Sequence, residues 1–205
     1  MADTFSAVVD NAALDQKETT IGASPILRTY SGTMPTNVDT ALGANVVLGQ
    51  GTLPADWLGA AAARVKSKLG TWTITGQTAA AAGTAQVFYR IFESTGTTAH
   101  LQGNIGVASS IATNALTAAN GNVLNFAATT GVLVGQKISG AGIVAGSRVL
   151  AVTGTTVTMS LASTAGVASA ASITFGYDMN IDNASIAMNQ VLTVNSFSIT
   201  AAATT

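Results

Sequence analysis

Along most of the chain, apolar residues recur at every second position in short stretches, the period of a half-buried strand. Pro25–Ser31 places Ile26, Arg28 and Tyr30 on one face and Leu27 and Thr29 on the other. Ala44–Leu48 and Thr71–Thr75, the latter around Trp72 and Ile74, are further strand candidates. The strongest is Gln86–Glu93. There Val87, Tyr89 and Ile91 share one face, while Phe88 and Phe92 share the other with Arg90 between them. A strand apolar on both faces is expected inside a sandwich or beneath a subunit contact. Ser94–Thr97 is turn-like and Thr98–Gln102 returns beside it, which makes a hairpin. Later, Tyr177–Asp182 alternates with Tyr177, Met179 and Ile181 on one face, and Val191–Thr200 is a long strand. The closing Ala-Ala-Ala-Thr-Thr is expected to fray.

One segment predicts a helix, within 54–68. Thr52 suits a cap, Pro54 the first turn and Asp56 the positive helix start. Ala60 to Ala63 are good helix formers, Arg64, Lys66 and Lys68 complement the negative end, and Gly70 can terminate. The spacing of two between those cations also fits the exposed side of a strand. Residues 1–24, with Asn11, Asp15, Lys17 and Glu18, read as a lead segment. Residues 31–40 and 77–84 read as loops.

Between 107 and 176 the pattern changes. Glycines recur at 121, 131, 135, 140, 142, 146 and 154, separated by short apolar runs. These runs are Val123–Phe126, Val132–Val134, Val149–Val152, Thr155–Met159 and Ser172–Phe175. Many short strands with tight turns are predicted, including a hairpin of 148–152 with 156–160 about Gly154. The domain expectation is a discontinuous β domain, 1–106 with 177–205, and an inserted Gly-rich β module at 107–176. One continuous β domain is the alternative. The fold class is all-β: a β-sandwich or jelly-roll-like outer domain with one short helix, plus the small inserted module.

Composition narrows the function classes. The chain has 205 residues, 8 Lys+Arg, 9 Asp+Glu, one His and no Cys. Its charged fraction of 8% compares with about 25% in an ordinary soluble domain. Only Lys137 and Arg148 carry charge within 107–176. A net charge of −1 gives no basic footprint for nucleic acid. Without Cys there is no disulfide framework or thiolate site, and one His precludes multi-His metal sites. Mean hydropathy is +0.44, yet the apolar runs are too short for a spanning helix. The N-terminus has no basic region followed by an apolar block, so no secretory signal is expected. A surface this poor in charge favours association.

Candidate chemistry is sparse. His100 with Asp39, Asp56 or a serine would make a triad, but no nucleophile elbow accompanies it. Asp178 and Asp182 lie on one strand face roughly 13 Å apart by strand rise, too far for shared acid–base work. With Asn180 between them they offer oxygens to Ca²⁺, without the ligand run of an EF-hand. Gly140, Gly142 and Gly146 miss the spacing of a phosphate loop. No catalytic, cofactor or metal residues are assigned, and an enzyme is not expected. Trp57 and Trp72 are either core residues or the candidate interface anchors of a subunit contact.

Several segments resemble a family of small virion proteins of tailed bacteriophages. They are Asn11–Lys17, Pro25–Arg28, Leu53–Trp57, Gly70–Trp72, Phe88–Phe92, Thr97–Gly103, Asp178–Asn183 and Val191–Thr200. The stretch Val134–Ser147 with Val149–Ser160 resembles a Gly-rich β module found inside various phage structural proteins. The resemblance implies a virion component made in the host cytoplasm. The first expectation is a capsid decoration (cement) protein on the capsid surface, with the major capsid protein as partner. A homo-oligomer is expected, a trimer at a threefold-related site being one form, with no direct nucleic-acid or membrane partner. A tail, neck or fibre component is the alternative, and a glycan-binding adhesive module a further one.

Overall fold

The computed structural model describes residues 5–201. The expected frayed tail lies, from residue 202, outside the described residues. The chain divides into two compact units, Met1–Val107 with Asp178–Thr205, and Ala108–Tyr177. In order the elements are α1 (Ala7–Ile21), β1 (Ile26–Tyr30), β2 (Val47–Thr52), β3 (Val65–Ser67), β4 (Thr73–Gly76), a 3-10 turn at Thr78–Ala80, and β5 (Thr84–Ala85). They continue with β6 (Phe88–Phe92), β7 (Ala99–Gly106), β8 (Ser109–Ala112), β9 (Val123–Asn125), β10 (Lys137–Ser139) and β11 (Val149–Val152). The last are β12 (Thr156–Met159), β13 (Ser172–Gly176), β14 (Met179–Ile181), β15 (Ser185–Ile186) and β16 (Val191–Thr200). The chain is all-β, with a single α-helix among the described residues.

In the discontinuous unit the strands form a ring in the order β14-β7-β6-β1-β2-β4-β16, and β16 returns to pair with β14. The sequence predicts a sandwich or jelly-roll-like arrangement here; instead one sheet closes on itself as a barrel. The length of β16 makes this possible. Its ends hold β4 and β3, while its middle holds β14. The β14–β7 pairing is parallel and the rest of the ring is antiparallel. Closure leaves few free edges to template other chains.

The barrel interior is filled by alternate residues of its strands, among them Leu27, Leu48, Ile74, Tyr89, Ile91 and Leu192. Two glycines allow backbones to touch. A Cβ on Gly51 would lie 2.0 Å from the Thr73 carbonyl oxygen, and one on Gly76 1.8 Å from that of Ala187.

β6 is buried on both faces. Tyr89 and Ile91 face the interior, and Phe88 and Phe92 form a second cluster with Tyr30. The chain's own loop covers that second face, not a subunit contact. Leu42 packs there, and Arg90 donates to the carbonyls of Thr40 (2.8 Å) and Asn37 (3.3 Å). The same loop delays β2, so the strand expected at 44–48 starts at Val47.

The helix lies elsewhere than the sequence predicts. Residues 54–68 are not helical. Leu58–Ala62 runs antiparallel to Val65–Leu69, with bridges Leu58↔Lys68 and Ala62↔Val65. Ala63 and Arg64 turn the hairpin at φ 49° and 64°, the paired left-handed positions of a type I′ turn. Each such non-glycine residue costs roughly 1–2 kcal/mol, so local alanine propensity has been overridden by tertiary contacts.

The helix that does form is α1, in the expected lead segment. The Ser6 side chain accepts from the Val9 N–H at 3.4 Å, Asp10 sits in the first turn, and Gly22 ends it at φ 89°. These are ordinary start and stop signals. An apolar stripe is missing, because only Leu14 and Ile21 are buried.

The unit Ala108–Tyr177 has two three-stranded sheets, β10-β13-β8 and β11-β12-β9. Bridges Thr113↔Phe126 and Lys137↔Arg148 join them along both sides. Its core is Leu124, Phe126, Val149, Val157, Ile173 and Phe175 with their neighbours, and Phe126 meets Phe175 edge-on at 5.6 Å. β11 and β12 form the hairpin expected about Gly154. The run at 132–134 is a turn instead, with Leu133 and Val134 exposed. Charge is scarce because neutral side chains hold the loops. Thr113, Thr117, Ser147 and Ser163 are buried and bond main-chain carbonyls.

Candidate functional site

Trp57 and Trp72, the candidate interface residues, are both fully buried in the barrel unit. Their rings lie 5.8 Å apart, and Trp72 also packs on Phe197 at 5.2 Å. Each indole N–H is used internally, Trp57 on the Gly22 carbonyl and Trp72 on that of Leu69. They are core residues, and the interface assignment is corrected: no ring surface is left for a partner.

The titratable candidates are brought to structural tasks. His100 pairs with Glu93 at 3.2 Å, not with Asp39 or Asp56. Asp178 accepts the Asn104 N–H and Asp182 the Thr193 N–H, each at a different strand of the barrel. The Asn180 side-chain amide donates to the Ser196 hydroxyl at 2.8 Å. Among the described residues no group of three His, Cys, Asp or Glu is placed to hold a metal ion. Gly140, Gly142 and Gly146 occupy left-handed turn positions, and no helix follows them. A Cβ on Gly142 would lie 2.1 Å from the Gly166 carbonyl oxygen.

Glu93 closes its own hairpin turn. Its Oε1 accepts the Thr95 hydroxyl at 2.6 Å and the N–H groups of Thr98 and Thr97 at 2.5 and 3.0 Å. The Thr95 hydroxyl, followed by the Thr98 N–H, holds its pKa at about 2 against an ordinary 4.5. A depressed carboxylate stabilises the turn above its ordinary pKa and loses that contribution as pH falls toward the folded value. Nuclear magnetic resonance should therefore show the Thr97 and Thr98 amides losing protection between pH 4.5 and 2. Glu93→Gln should abolish that pH dependence; protection unchanged by pH in the parent chain would contradict it.

The densest group of charges is one the sequence does not reveal, the joint between α1 and the 58–69 hairpin. Asp10, Asn11, Asp15 and Glu18 recur at helical spacing on the inner face of α1. Glu18, Asp15 and Asn11 accept the main-chain N–H groups of Leu58, Ala61 and Arg64 at 2.9, 3.1 and 2.9 Å. The helix thus covers the outer arm of the hairpin as a neighbouring strand would. Lys66, 3% exposed, reaches Asp15 at 2.6 Å and Glu18 at 2.9 Å. Arg64 reaches Asp10 at 2.7 Å. Burial pushes the Lys66 ammonium down, but the hydrogen bonds to Asp15 and Glu18 leave its pKa above the ordinary value. The Lys66 bond in turn lowers that of Asp15. The signal available in sequence was the helical spacing of polar residues, which a search for apolar periodicity passes over.

With so many charges turned inward, the surface is left with exposed apolar side chains. Val8 and Val9 project from α1, with Phe5 just before it. Leu116, Leu133, Val134 and Leu150 project from the Ala108–Tyr177 unit, Val134 at 65% exposure. Phe5 is the only exposed large aromatic among the described residues. Comparison of the chain with protein-family models, with curated proteins and with solved structures gives no match.

Proposed function

We propose that the chain is a non-enzymatic structural protein of a tailed-phage virion, and that it decorates the outside of the major capsid shell. The observation that carries this reading is how the charged residues are used. Arg64 and Lys66 hold the α1 joint, and Arg28 and Arg90 bond glutamine side chains and main-chain carbonyls. Asp178 and Asp182 staple barrel strands. The groups that would converge for chemistry are spread through the framework, while the exposed face offers apolar and neutral polar side chains suited to packing against protein. The resemblance of the barrel segments to virion proteins supports the same reading.

Decoration works by number. Each copy makes a modest contact with the shell and with its neighbours, and the sum is large because every bound copy raises the effective concentration of the next contact. An adhesive glycan module is less well supported, since stacking on sugars uses exposed aromatic rings, and these are buried apart from Phe5 and the half-buried Tyr177. Quantitative mass spectrometry of purified particles is the test. Decoration requires a copy number comparable to that of the major capsid protein. A copy number of a tail, neck or fibre vertex would replace decoration with that alternative.

A further inference from the structure

We propose that α1 is an exchangeable arm, which leaves its own hairpin and docks on the same hairpin of a second copy of this chain. The proposal goes beyond the virion reading and stands without it. Three features of the joint lead to it.

The first is the composition of the contact. The helix is held by the carboxylate and amide acceptors of Asp10, Asn11, Asp15 and Glu18 on the donors of residues 58–66. Its only buried apolar residues are Leu14 and Ile21. All of these polar contacts join α1 to one hairpin. A second copy offers identical donors, so exchange conserves the contacts it breaks.

The second is the hinge. Gly22–Pro25 links α1 to β1, and Ser24 lies in the left-handed region at φ 51°. It stands directly before Pro25, whose ring favours an extended conformation in the preceding residue. The closed connection is therefore strained, and opening it lets Ser24 relax to the conformation the proline prefers. Short strained hinges are a recognised route to exchange of terminal elements. The third feature is the outer face of α1. Phe5, Val8 and Val9 are exposed, so the closed helix gains nothing from them that opening would forfeit.

The test uses two charge-reversed forms of the full chain. In D15K/E18K the helix is repelled by its own Lys66, and in K66E the wild-type helix is repelled by its own hairpin. Each clash is relieved only when the two chains trade helices. Native mass spectrometry should show a one-to-one heterodimer as the main species on mixing, and no such dimer of either form alone. In the parent sequence, Ser24→Gly should lower the dimer fraction, because it removes the strain that favours opening. Mixed variants that stay monomeric with their strand circular dichroism intact would overturn the proposal. Should the charge-reversed chains not fold, deletion of Ala23 and Ser24 replaces them. The shortened hinge prevents docking on the same chain, so dimers with full helical signal are expected, and monomers with full helical signal would equally overturn it.

Discussion

Truncation of Trp72 to alanine should destabilise the barrel unit by about 3–5 kcal/mol, the range for removing a large buried aromatic. The side chain is fully buried between Trp57, Phe197 and the Lys68 ammonium, the last 6.0 Å from the ring centroid. Its N–H bond to the Leu69 carbonyl fixes the bend between β3 and β4. Ring, cavity and bond are lost together, and neighbours anchored on closed strands have little freedom to collapse into the space. A loss of this size is a large part of the roughly 5–15 kcal/mol that stabilises a typical domain. Trp72→Phe keeps most of the packing and should cost less. Urea titration followed by Trp57 fluorescence measures both. The core of the Ala108–Tyr177 unit is a separate cluster, so its slowest amides should keep their protection. A midpoint unchanged in Trp72→Ala would contradict this description of the core.

Neutralising the α1 joint with D15N/E18Q should undock the helix. Lys66 is nearly buried, and leaving such an ammonium without a carboxylate is costly. Removing the partners of a buried charge is strongly destabilising, and the half exposure of Asp15 lets solvent screen only its own share of the contact. The helix has little else to hold it, since its apolar burial is confined to Leu14 and Ile21. Freed from the hairpin, a helix of 15 residues is marginal in water. The expected result is loss of helical circular dichroism with the strand signal kept, and faster exchange of the Leu58, Ala61 and Arg64 amides. The same joint responds to pH at both ends. Asp15 has a depressed pKa, so its contribution is present above its ordinary 3.8 and fades as pH falls below it. Lys66 has a raised one, so its contribution is full below 10.5 and is lost at higher pH.

These two sites also explain what could be read in the sequence. β1, β6 and β16 were legible because alternation such as Ile26, Arg28, Tyr30 against Leu27, Thr29 is a local property. Composition changes at 107 and 176, and the compact unit runs from Ala108 to Tyr177. Barrel closure was not legible, because the parallel β14–β7 pairing joins residues far apart in the chain. The hairpin at 58–69 was hidden by its alanines, whose helical preference yields to a left-handed turn clamped by Asn11 and Asp10. α1 was hidden for the converse reason, since its inner face is acidic where amphipathic helices are apolar. Hydrophobicity alone predicts a strand at Val132–Val134, yet its outward Leu133 and Val134 are surface. Trp57 and Trp72 could be placed only by packing.

A three-dimensional reconstruction of the intact particle tests the proposed role most directly. The expected result is density fitting the seven-stranded barrel on the outer face of the shell, repeated at every equivalent capsomer position and touching the major capsid protein. Density confined to the tail or neck, or missing from the particle altogether, would contradict it.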